Sequence, residues 1–188
     1  MRIAINLVLS ALTLSSFVSV NADIIKQSDT KTQVFTPDFS GSWFTFLDET
    51  SQPKIRVKLI KKNVDATSWD AQGQTGYWLA VGFGTNGMVG SDIVMCSFKN
   101  TDQSTDKFEC SDRKGTGHSL PGKDATSNVN DVDSVATFRT ENGKKLVNFE
   151  ATFERLLDTS DVAGDQILKL GTTGDAIFAH GKIINNNF

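Results

Sequence analysis

The stretch from Gly76 to Cys96, GYWLAVGFGTNGMVGSDIVMC, constrains the fold more than any other part of the chain. In strand geometry successive side chains point to opposite faces. Tyr77, Leu79, Val81 and Phe83 therefore share one bulky face suited to a core, while Trp78, Ala80, Gly82 and Gly84 share the other. That second face shrinks from indole to glycine, as expected where another backbone or a flat ligand approaches closely. Thr85-Asn86-Gly87 then turns the chain, and Asp92 to Cys96 reads as a second strand. Met88 is left on the connection between two buried strands.

Strand-type alternation recurs along the chain. Ile55, Val57 and Leu59 alternate with Lys54, Arg56 and Lys58, which predicts a strand with one apolar face and one basic, solvated face. Val135 to Thr140 and Lys145 to Phe153 flank Glu141-Asn142-Gly143-Lys144, and Asn-Gly between alternating runs signals a tight hairpin. Ile167 to Leu170 and Ala176 to Ala179 read as further short strands. Asp112 to Asp133 shows no strand period and reads as a long exposed loop. Many short strands separated by turn residues argue for an all-β sandwich.

Met1-Arg2 is a positive start, Ile3 to Val20 an apolar stretch broken by serines, and Val20-Asn21-Ala22 a small-residue cleavage site. Together they predict a signal peptide over 1–22. The purely apolar part is shorter than the roughly 20 residues a membrane-spanning helix needs. The expectation is a secreted, extracellular mature chain over 23–188, forming one domain with no membrane span. The whole sequence carries a formal net charge of −3, and removing Arg2 makes it more negative, so nucleic acid is not an expected partner. Both cysteines, Cys96 and Cys110, fall in the mature part at the two ends of a predicted hairpin. An even cysteine count in a secreted chain favours a disulfide between them.

Catalytic motifs are thinly supplied. Gly82-Phe-Gly84-Thr-Asn-Gly87 has dinucleotide-binding spacing, but a β-branched strand follows where that motif needs a helix N-terminus. Gly117 to Asp124 approaches a phosphate-binding loop but lacks the Ser or Thr that holds magnesium. Only His118 and His180 could serve a histidine-based site. Asp158, Asp161 and Asp165 invite a metal reading, yet short acidic side chains in such a segment are better explained as turn caps and as partners of Arg155.

YWLAVGFG followed by GMVGSDIVMC resembles the central signature of the DOMON domain. Arg155-Leu-Leu-Asp158-Thr-Ser-Asp161, followed by a strand ending in Ala179-His-Gly181, is similar to that family's closing R-x-L-x-T-x-D and A-x-G motifs. The resemblance implies an immunoglobulin-like antiparallel β-sandwich of the kind found in extracellular modules that bind haem b or sugars. It also implies that haem, where bound, is held by a methionine in the connection occupied here by Met88 and by a histidine near the C-terminus, for which His180 is the candidate. The family's histidine follows the A-x-G motif rather than standing inside it, so the expectation is that Met88 and His180 do not meet across one iron. The favoured reading is a non-enzymatic module with no cofactor that takes a small apolar or sugar ligand beside Trp78, Gly82, Gly84 and Met88. The alternative is a b-type cytochrome module passing electrons to a redox partner protein.

Overall fold

The computed structural model describes residues 2–4, 26–99, 108–117 and 119–185. Most of the expected leader, the loop Asn100 to Asp106 and His118 lie outside the described residues. Twelve strands follow one another: β1 (Arg2–Ala4), β2 (Lys26–Gln27), β3 (Lys31–Thr36), β4 (Phe39–Leu47), β5 (Pro53–Asp65), β6 (Gln74–Phe83), β7 (Asp92–Lys99), β8 (Phe108–Lys114), β9 (Gly122–Lys123), β10 (Val129–Glu141), β11 (Lys144–Leu156) and β12 (Thr173–Ile184). They form two antiparallel sheets. The first runs β1-β12-β6-β7-β8-β9; the second runs β10-β11-β5-β4, with β2 and β3 both on the far edge of β4. Among the described residues no helix is long and apolar enough to cross a membrane.

Alternation decides which side of each strand enters the sandwich. Leu79, Val81 and Phe83 of β6 pack with Val94 and Cys96 of β7 against Ile55, Val57 and Leu59 of β5 and Val147, Phe149, Ala151 and Phe153 of β11. Each Val, Leu, Ile or Phe side chain among them contributes roughly 1.5–3 kcal/mol on full burial. Phe149 stacks on Tyr77 at 5.1 Å between ring centroids and lies parallel to Trp69 at 6.3 Å, so an aromatic column crosses from one sheet to the other. The β10–β11 hairpin turns at Asn142 and Gly143, with φ of 51° and 75°, the backbone that an Asn-Gly pair adopts most readily. Cys96 stands directly opposite Cys110 in the β7–β8 register, and the two form a disulfide.

Three local expectations need correcting. Asp112 to Asp133 is not one long loop: β8 runs to Lys114, β9 adds a short rung at Gly122–Lys123, and β10 begins at Val129. Its period was hidden because β10 is an edge strand with a register shift between Asp131 and Asp133 and polar side chains on both faces. Ile167 to Leu170 is not a strand; it is an irregular segment tied back by the Leu168 N–H to the Leu157 carbonyl, 2.8 Å. The outer face of β5 is not simply solvated, since Lys54, Arg56 and Lys58 pair with Asp48, Glu154 and Glu150.

Candidate functional site

The outer face of the first sheet carries a second apolar cluster, separate from the core, of Ala80, Ile93 and Met95 with Trp78 and Met88 packed against it. Its shape follows from antiparallel register. Ala179, Ala80 and Met95 lie in one cross-strand row, and Ile177, Gly82 and Ile93 in the next. Small residues, Ala80 and Gly82 on the central strand and Ala179 beside it, lie among the larger Met95, Ile93 and Ile177 and make the surface concave. A loop closes over it, so that Ser119, Leu120 and Pro121 join Met88 as a wall and enclose a cavity of about 390 Å³. Among the described residues the lining carries no charged side chain.

Glycines set how closely the walls approach. Gly181 lies opposite Trp78, and a Cβ there would stand 2.8 Å from the indole, so the ring lies flat across the space a side chain would take. A Cβ on Gly115 would collide with the Met88 carbonyl. That close approach is held by two backbone hydrogen bonds, Gly90 N–H to Gly115 O at 2.7 Å and Gly115 N–H to Ser91 O at 2.9 Å. The Arg113 guanidinium donates to the Pro121 carbonyl at 2.8 Å and anchors the 119–121 loop.

Of the residues expected to bind a ligand, Trp78, Gly82 and Met88 line this cavity. Gly84 does not. Its φ of 92° and the Gln166 side chain, 2.5 Å from where its Cβ would be, make it a turn residue at the strand end. Ile93, Met95, Ile177 and Ala179 become visible once the register of β6 with its two neighbours is known; Leu120 and Pro121 carry no sequence signal, being brought in by a loop.

Met88 and His180 do not form a pair. His180 is in register with Leu79, which is wholly buried on the inner face, whereas Met88 lies over the outer one. The imidazole shares a 2.7 Å hydrogen bond with the Tyr77 hydroxyl, stacks on the Tyr77 ring and meets Phe39 edge-on at 4.6 Å. Burial, reinforced by the nearby Lys61 ammonium, lowers the His180 pKa, and burial pushes the Tyr77 phenol up to about 12. His180 thus ends the aromatic column of the core, with a sheet between its ring and the Met88 sulfur. A haem held by methionine and histidine needs both on opposite sides of one iron, and this arrangement does not fit that group.

The acidic residues of the closing segment divide by role. Asp158 accepts from the Ser160 N–H at 2.9 Å, and Asp161 from the Ala163 and Gly164 N–H groups at 3.1 Å. Asp165 lies 3.7 Å from the Arg155 guanidinium.

The DOMON domain family profile matches residues 53–181, from β5 to the glycine opposite Trp78. No curated protein and no solved structure matches the chain.

Proposed function

Because the chain belongs to the DOMON domain family, we propose that it is a secreted, non-catalytic module that binds a small, flat, apolar molecule in the outer-face cavity. One observation carries this reading: the cavity is walled almost entirely by carbon, from Ala80, Ile93, Met95, Leu120, Pro121 and Ile177, with Trp78 along one side. Its size lies within the roughly 300–1,000 Å³ usual for small-molecule sites. A sugar needs several converging hydrogen-bond partners, and the hydroxyl of Ser119 and the indole N–H are few for that purpose. The apolar member of the two ligand classes is therefore favoured over the sugar. A redox partner protein would matter only to a haem-bearing module, and the separation of Met88 from His180 weighs against that alternative.

The test is a titration of the purified protein with N-phenylnaphthylamine, a neutral apolar fluorophore, followed by its emission. Saturable binding is expected, and Ala80→Phe, which places a ring in the cavity floor, should abolish it. Cellobiose and haemin titrated in parallel should give, respectively, no binding heat and no shift or sharpening of the free haemin Soret band. Saturable sugar binding that survives Ala80→Phe, or a haem spectrum lost in Met88→Ala, would overturn the reading.

A further inference from the structure

Beneath the connection that carries Met88, three aspartates meet in the interior. Asp92 opens β7, Asp112 lies in β8, and Asp165 follows the Asp161 turn; they are 1%, 3% and 8% exposed. One carboxylate oxygen from each lies within 4.8 Å of one from each of the others. The chain supplies donors to one side of every carboxylate. Asp92 Oδ2 accepts from Arg155 and from the Gln166 N–H at 2.9 Å, Asp112 Oδ2 from the Asn128 N–H at 2.8 Å, and Asp165 Oδ2 from the Asn128 side-chain amide at 3.0 Å. The second oxygen of each, Asp92 Oδ1, Asp112 Oδ1 and Asp165 Oδ1, is enclosed with no hydrogen-bond partner. Asp124 stands beside them against Gly164, its N–H bonded to the Asp112 carbonyl at 3.0 Å and its Oδ2 also enclosed without a partner.

The charges do not balance within the protein. Arg155, with a fully enclosed side chain, is the cation paired with Asp92 and Asp165, and its remaining N–H groups go to the Leu156 and Gln166 carbonyls. Three ionised carboxylates against one guanidinium leave two negative charges in a buried site, a costly state unless something neutralises them. Oxygens bound to one calcium ion at about 2.3–2.6 Å can be no more than about 5 Å apart, which is the spacing present. The donor set is all oxygen, without histidine or cysteine, and suits a hard cation rather than zinc or copper.

We propose that Asp92, Asp112 and Asp165 bind one calcium ion, each through a carboxylate oxygen, with Arg155 and Asn128 positioning the carboxylates. The three enclosed oxygens that lack a protein donor show that the chain does not itself satisfy these groups. The ion would tie the start of β7 and the strand β8 to the segment after β11, so its role is to hold the closing segment rather than to contact a ligand. The proposal is independent of the apolar cavity.

The experiment uses the full mature chain, stripped with EGTA and returned to chelator-free buffer at neutral pH. Calcium content after gel filtration in calcium, and the melting temperature against added calcium, are measured at constant ionic strength. One calcium per chain and a melting temperature that rises and saturates with calcium are expected. Asp112→Asn should lose both, while the exposed control Glu49→Gln should keep them. If Asp112→Asn does not fold, the calcium content of the unsubstituted chain decides alone. No bound calcium and no change in melting temperature up to about 10 mM, above the weakest affinities of extracellular calcium modules, would overturn the proposal. That result would mean that the carboxylates are neutralised by protons. Magnesium acting as strongly as calcium at equal concentration would overturn the choice of ion.

Discussion

His180 shows how one side chain can be read for a site and belong to the core. Its position inside Ala179-His-Gly181 places it in register with Leu79, and the pleat turns it inward towards Tyr77 and Phe39. Protonation there is disfavoured by burial first and by Lys61 second, while Asp38 opposes the shift. A histidine whose folded pKa is lowered stabilises the fold above its unfolded pKa of about 6.5 and loses that contribution as pH falls below it. The unfolded chain takes up a proton that the native chain resists. Urea unfolding of the unsubstituted protein and of His180→Gln should therefore give a stability difference that shrinks between pH 7.5 and pH 5.5. A difference constant across that range would mean that the imidazole titrates as it does in the unfolded chain. Gly181 is the complementary case, since its value lies in the absent side chain, over which the Trp78 indole lies.

The central strand β6 was legible because both of its faces are buried in different ways, bulky inward and small outward. Edge strands were only partly so. In β10 the alternating run Val135 to Thr140 was legible, but Val129 to Ser134 was not, since its side chains are exposed or half-buried and the register shifts between Asp131 and Asp133, so pairing with β11 alone defines it. Ile167 to Leu170 errs in the other direction, because an apolar run next to a buried turn looks like a strand. The cavity's second wall is also an element-scale feature, depending on where Gly115 lets the Met88 connection lie. Gly115→Ala would force a Cβ onto the Met88 carbonyl, whereas Gly117→Ala meets nothing within 4 Å. We expect Gly115→Ala to weaken N-phenylnaphthylamine binding at least tenfold and Gly117→Ala to leave it unchanged, as read by fluorescence titration. Equal affinities for the two variants would show that the wall does not depend on this approach.

At the scale of the whole molecule, the two sheets are held together by a continuous apolar core, and Cys96–Cys110 cross-links β7 to β8 within the first sheet across a separation of 14 residues. Arg2–Ala4, the described part of the expected leader, pairs as β1 with the Thr173–Asp175 end of β12. Chain recovered from the medium of an expressing cell should begin near Asp23, without β1, and carry the disulfide. Replacing both cysteines with alanine should lower its unfolding free energy by about 3 kcal/mol on the loop-entropy account, measured by denaturant titration. An N-terminus at Met1, or two free thiols, would contradict the secreted reading. The sequence by itself determined the fold class, the β6–β7 pair, the β10–β11 turn and the cysteine pairing. Each of these rests on local periodicity or on residues close in the chain. The small-residue face of β6 and the separation of Met88 from His180 are also expected from alternation and from the place of His180 in its motif, whereas the neighbours that complete the cavity and the meeting of Asp92, Asp112 and Asp165 were decided only by tertiary structure. Those features depend on register between strands far apart in sequence, where a shift of one residue would turn every side chain to the other face.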